Sequence, residues 1–354
     1  MTQPFSVAMC VDPEIAAFFA PDAEFGAMLA FEEALAKAQA LAGLIPAEAA
    51  TMIALACQRF PQNTEALTAR LVKDGVLGPG FIESLRQTLP ESMQKYLHFG
   101  ATSQDITDTA LTLRLKPYLA VLDARLVALI AALETLCRAQ GETRLMAQTR
   151  MQAALPITVS DKITSWLLPL RRHRERLAGL APRLLVIQLG GPVGTRAELG
   201  GAAALVATEL ARLLGLGDAP CWHTARDNII ELGATLALIT GTLGKIGQDA
   251  ALLAQSESGA LKITGGGASS AMAHKVNPVA AEVLVALARY AGGLAGTLNQ
   301  AMIHENERSG AAWTLEWFVL PPLAMAAGRS LNYAIELIPH MQFQLVRGGQ
   351  QQQN

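Results

Sequence analysis

Three polar, glycine-bearing stretches of the 354-residue sequence hold the side chains that proton transfer on a small polyanion requires. The first is His98-Phe-Gly-Ala-Thr-Ser-Gln-Asp-Ile-Thr-Asp108, with an imidazole, hydroxyls, an amide and two carboxylates ahead of a long apolar stretch. Part of it reads as a helix start. Thr102, Ser103 or Asp105 can cap, and Asp108 complements the helix dipole. Capping alone needs neither His98 nor Gly100, and the N–H groups that seek a cap can equally hold a carboxylate ligand. The second stretch, Gln148-Thr-Arg-Met-Gln-Ala-Ala-Leu-Pro156, places Arg150 and Gln152 ahead of a helix expected after Pro156; an ordinary loop has the same composition. The third is Gly265-Gly-Gly-Ala-Ser-Ser-Ala-Met-Ala-His-Lys-Val-Asn-Pro278. Its glycines and the pair Ser269 and Ser270 predict a mobile loop whose backbone N–H groups can converge. His274, Lys275 and Asn277 then crowd ahead of a helix that follows Pro278, which a plain linker would not need.

A fourth segment, His304-Glu-Asn-Glu-Arg-Ser-Gly-Ala-Ala-Trp313, adds Arg308, although a solvated turn would look alike. Together Lys275, Arg150, Arg308 and the histidines form a set for binding a small polyanion, with serine or histidine moving a proton. No HExxH, CxxC or spaced Asp/His cluster points to a metal. Gly190-Gly191-Pro-Val-Gly194 is a poor dinucleotide fingerprint, and no cofactor is expected. His223 and Asp227 stand at helical spacing, as a salt bridge or cap would. Lys+Arg (28) nearly balances Asp+Glu (30), which disfavours a nucleic-acid surface. Cys10, Cys57, Cys137 and Cys221 lie too far apart for a disulfide framework and read as idle thiols.

The elements that must position these residues read as helices. The sequence is 51% hydrophobic but only 5% aromatic, so small aliphatic side chains supply the apolar mass, as suits closely packed helices. Leu115, Leu119, Leu122, Leu126, Leu129, Leu133 and Leu136 repeat every three or four residues, a seam that also recurs from Leu232 to Leu253. Pro117 predicts a bend near the start of the first seam. Weaker seams follow Pro156 (Ile163, Trp166, Leu170, Leu177) and Pro278 (Val283, Leu287, Tyr290, Leu294), and a last helix is expected from Leu323 to Ile338. The prediction is an all-α protein: a long central antiparallel helix bundle over 106–340 after a smaller N-terminal helical domain over 1–105. Residues 341–354 form a tail. Residues 1–10 lack a basic region ahead of an apolar core, so no secretory leader is expected, and Leu126–Leu136 and Leu232–Leu243 are interrupted before reaching the ~20 residues of a membrane span. A soluble, cytoplasmic protein without membrane or nucleic-acid partners is expected, its apolar surplus buried against other subunits.

These segments resemble the fumarase/aspartase superfamily. Gly267-Ala-Ser-Ser-Ala-Met-Ala-His-Lys-Val-Asn-Pro278 resembles its loop motif GSSxMPxKxNP, with Ala268 and Ala273 as departures, and the first segment resembles its HxGxTSxDxxDT box. His304–Trp313 followed by Glu316-Trp317 is similar to the cycloisomerase branch, as is Arg150, where the lyases carry a histidine. The resemblance implies lactonisation of 3-carboxy-cis,cis-muconate in protocatechuate breakdown along the β-ketoadipate route. A sulfomuconate cycloisomerase, an adenylosuccinate- or argininosuccinate-type lyase, or a non-catalytic helical scaffold are the alternatives. It implies Ser269, Lys275 and His98 as catalytic, and Thr102, Ser103, Arg150, Gln152, Ser270, Met272, Asn277 and Arg308 as substrate-binding. It further implies a homotetramer with sites shared between subunits and a shortened C-terminal domain.

Overall fold

A computed structural model describes residues 4–61, 64–268 and 276–344. The N-terminal part is a set of short helices: α1 (Pro13–Phe18), α2 (Pro21–Leu41), α3 (Ala47–Arg59), α4 (Thr64–Asp74), α5 (Gly78–Arg86) and α6 (Glu91–Gln94). Then come α7 (Ser103–Gln140), strands β1 (Arg144–Thr149) and β2 (Gln152–Thr158), α8 (Val159–Leu184) and α9 (Ala203–Leu214). The chain continues through α10 (Asp227–Leu253), β3 (Leu261–Ile263), β4 (Gly267–Ala268), β5 (Val276–Asn277), α11 (Val279–Gln300), α12 (Ala311–Leu337) and β6 (Met341–Phe343). Among the described residues the strands form three two-stranded antiparallel pairs, β1–β2, β3–β6 and β4–β5.

The predicted seams form the core. All seven seam leucines of α7 are buried, as are Leu232, Leu236, Ile239, Leu243, Ile246 and Ala250 of α10. They meet Ile163, Trp166 and Leu170 of α8 and Leu323, Leu331 and Ala334 of α12 in one cluster. Pro117 sits inside α7 without ending it. A Cβ on Gly244 or Gly247 would collide with α11, so these glycines let α10 and α11 approach closely. A second core joins α2, α3 and α5 to Ile106 and Ala110 of α7 and to Leu199, Val206 and Leu210 beside and on α9.

Four expectations are corrected. Pro156 does not start a helix: it lies in β2, paired with Met146, and α8 begins at Val159, after Thr158 and Asp161 have formed a reciprocal cap. The last helix begins at Ala311 rather than Leu323 and carries Pro321 and Pro322 within it. Tyr290 of the α11 seam is 46% exposed. Two helices, α10 and α11, are also long and apolar enough to cross a membrane by length and composition, contrary to the broken runs read from the sequence; both are elements of the bundle.

The direction of α7 organises the molecule. Its 38 residues span about 57 Å. Near its start, Asp108 bonds Arg226, just before α10, and Trp313, at the start of α12. At its end, Gln140 bonds Met341 and Phe343, just past α12. α10 and α12 therefore run parallel to α7, and α8 and α11 return between them.

Candidate active site

The first segment is built where the two cores meet. The backbone turns through left-handed conformations at His98 (φ 60°) and Gly100 (φ 68°) before entering α7. A Cβ on Gly100 would lie 2.6 Å from Leu199 Cδ2, so glycine lets this turn press against the second core. Gln39 Nε2 donates to the Phe99 carbonyl at 2.6 Å. Thr102 caps α7, and its N–H donates to Asp105 at 3.0 Å.

Within this frame His98 gains a partner that no spacing revealed. Its Nδ1 lies 2.6 Å from Oε1 of Glu32, a carboxylate on α2 that is 1% exposed. A carboxylate accepts, so Nδ1 carries the proton and Nε2 is the nitrogen available to a ligand. Burial opposes charge on this ring, but the charge and hydrogen bond of Glu32, with Asp105 nearby, outweigh it and hold the pKa above the ordinary histidine value. Arg308 reaches the same place: its Nη1 donates to Thr102 Oγ1 at 2.7 Å. His98, Thr102, Ser103 and Arg308 thus form one cluster at the start of α7.

Behind the cluster lies a buried ionic network. Asp105 accepts from the N–H groups of Gly190 (2.7 Å) and Gly191 (2.9 Å) and faces His223 Nε2 at 2.8 Å. His223 therefore pairs with Asp105, and not with the Asp227 that its spacing had offered. Burial disfavours a charged His223, yet Asp105 and Cys221 overcome this and raise its pKa to about 9. One turn on, Asp108 accepts a two-pronged pair from Arg226 at 2.7 and 3.1 Å, so it serves as an ion-pair partner and not merely as a dipole complement. The same guanidinium forks onto Glu316 at 2.9 and 2.5 Å and stacks 4.6 Å from the Trp222 ring centroid. His304 Nε2 lies 3.3 Å from Glu316 Oε1, outside hydrogen-bond alignment. The paired carboxylates of Asp105, Asp108 and Glu316 and the Arg226 guanidinium tie the start of α7 to the segments before α10 and to α12.

The second segment and the described part of the third, residues 265–268 and 276–278, sit at the opposite end of α7. Arg150 and Met151 form the tip of the β1–β2 hairpin, both with positive φ (47° and 66°), and Gln152 follows at the start of β2. Such two-residue turns favour glycine or asparagine, so this tip is strained. The hairpin is exposed, with Met151 76% and Leu155 72% accessible. In the third segment, Gly267 pairs with Asn277 and Ala268 with Val276, close to Gly265 and His340. Ser269, Ser270, Met272 and Lys275 lie outside the described residues. One chain therefore brings together His98, Thr102, Ser103 and Arg308, and places Arg150 and Gln152 on the hairpin and Asn277 on β5, both beyond the far end of α7. Among the described residues no cluster of three or more His, Cys, Asp and Glu could hold a metal ion.

Glu32, Arg226 and Glu316 were missed by sequence reasoning because their partners are 66 to 118 positions away. The adjacent Glu33 is just as acidic in sequence, so nothing local marked Glu32 as the buried partner.

An antiparallel bundle with a histidine–arginine cluster at one end and a hairpin and glycine-flanked segment at the other defines the fumarase/aspartase-like class. A family model described as Lyase matches residues 11–293. The chain belongs to this lyase family. It is 40% identical over 330 residues to a 3-carboxy-cis,cis-muconate cycloisomerase of Pseudomonas aeruginosa, covering 91% of this chain and 72% of the relative. A nitrosuccinate lyase of Streptomyces davaonensis is 35% identical, over 88% of this chain and 69% of its own. The crystal structure of 3-carboxy-cis,cis-muconate lactonizing enzyme from Pseudomonas putida superposes with a TM-score of 0.91 at 37% identity, covering 98% of this chain and 78% of that one.

Proposed function

We propose that the chain is a cycloisomerase that converts 3-carboxy-cis,cis-muconate to 4-carboxymuconolactone. A carboxylate oxygen of the substrate adds across one of its C=C bonds while a proton is delivered to the neighbouring carbon. One C–O and one C–H bond replace a π bond, and no redox partner is required. The main support is the run of relatives named for this activity, 33% to 40% identical over most of the chain.

The reaction piles charge on the carboxylate next to the protonated carbon, and fixed cations and N–H dipoles stabilise such an aci-carboxylate best. Ser269 exchanges the proton with carbon, assisted by the Lys275 ammonium. Lys275 and Asn277 hold the developing dianion, with Ser270 and Met272 lining the same loop. His98, whose pKa Glu32 raises, binds a second carboxylate with Thr102 and Ser103. Arg150, Gln152 and Arg308 bind the third. Nucleophile and alkene belong to one molecule, so selecting the folded conformer supplies much of the remaining rate.

A site of this composition needs more than one chain, because its halves sit at opposite ends of a helix about 57 Å long. The exposed Met151 and Leu155 of the hairpin and the sparse burial of apolar α11 support a covering subunit. We read the assembly as a homotetramer acting in the cytoplasm on an aromatic-degradation intermediate. The direct test is ultraviolet absorbance of 3-carboxymuconate, whose conjugated diene is lost on lactonisation. Decay of that band with purified protein is expected. An unchanged band would contradict the assignment and favour an eliminating lyase or a non-catalytic scaffold.

A further inference from the structure

A cavity of about 210 Å³ opens between α2, α4, α7 and α12, and none of the residues assigned above to the reaction lines it. Its walls are mainly apolar: Leu71, Leu77, Leu111, Leu320 and Trp317. For scale, a cavity of about 150 Å³ accepts a benzene molecule. There is room here for one aromatic ring and a small substituent.

The polar groups gather on the α7 side. Thr107 is 7% exposed, and its Oγ1 has no hydrogen-bond partner among the described protein atoms. Helical threonines commonly bond back to the preceding turn, as Thr240 does to the Leu236 and Ala237 carbonyls, so an unpaired hydroxyl lining a cavity is a group prepared for something else. Arg114, two turns along α7, is 9% exposed. Its Nε is engaged by the Ala110 carbonyl at 3.0 Å, while its bonds to Phe18 and Glu24 are long, at 3.4 and 3.3 Å. Glu24 lines the cavity beside it.

Charge selects the ligand class. Arg114 and Glu24 cancel, and the charge of Glu316, which also lines the wall, is engaged by Arg226. A carboxylate placed here would face Glu24 and Glu316 with no uncommitted cation to hold it. An aliphatic hydrocarbon would leave Thr107 unpaired. A phenolic hydroxyl fits both demands, since it accepts from Thr107 and donates to Glu24. We propose that this cavity is a binding site for a small neutral phenol, its ring on the leucine and tryptophan wall and its hydroxyl between Thr107 and Glu24.

The test is calorimetric titration of the full chain with 4-methylphenol, 4-methylbenzoate and toluene. Saturable binding is expected for 4-methylphenol, weaker by about five-fold or more for the other two, as the loss of one or two hydrogen bonds implies. Thr107→Val should weaken the phenol by a similar factor. Leu71→Trp, at a half-buried position on the rim, should abolish binding with the circular dichroism spectrum unchanged. No saturable binding of 4-methylphenol to the wild type would overturn the proposal. So would equal affinity for 4-methylbenzoate, or undiminished binding in either variant when both are folded.

Discussion

Ser269 and His98 carry separate parts of one proton-transfer problem in the proposed reaction. A hydroxyl must exchange a proton with carbon, and a cationic imidazole must neutralise a carboxylate nearby. Replacing Ser269 by Ala should lower kcat by about two decades or more, the scale of general acid–base effects, with the fold intact. Turnover near wild type in the diene assay would refute the role. Glu32 sets the state of His98 across a 2.6 Å contact. Because this carboxylate raises the His98 pKa, the protonated, substrate-binding form persists to higher pH than a free histidine allows, and activity falls as pH rises through that raised value. Glu32→Gln removes the stabilising charge, so the alkaline limb of the kcat/KM profile should move to lower pH. An unmoved limb would show that His98 does not bind substrate as a cation.

At the level of elements, the junction of α7, α10 and α12 depends on Arg226, buried between Asp108 and Glu316. Arg226→Met leaves two buried carboxylates without their cation, and should cost about 3–5 kcal/mol, read as a lower midpoint in urea unfolding. Destabilisation below about 1 kcal/mol would show that water reaches the network and screens it. The helices themselves were legible in the sequence, because the leucine seams of α7 and α10 are strict enough to fix which face is buried. The hairpin was not: Pro156 looked like a helix start, and the positive φ of Arg150 and Met151 leaves no compositional mark when neither residue is glycine. The extent of α12 was also hidden: the helix expected from Leu323 begins at Ala311 and carries Pro321 and Pro322 within it. Likewise the first segment was recognisable as a site, while Glu32, His223 and Arg226 were invisible as its supports, because tertiary pairing over such separations has no local signature.

For the whole molecule, the length of α7 keeps His98 and Arg308 apart from Arg150 and Asn277, so the proposed reaction demands an assembly in which different chains supply the two ends. That account can be tested by co-expressing His98→Ala and Ser269→Ala chains with different affinity tags and isolating the mixed oligomers. Each variant alone should be inactive toward 3-carboxymuconate. In the mixture, sites that draw His98 from one chain and Ser269 from another regain both groups, and loss of the diene absorbance should return at a substantial fraction of the wild-type rate. Mixed oligomers as inactive as their parents, beside an active wild type, would contradict the shared site.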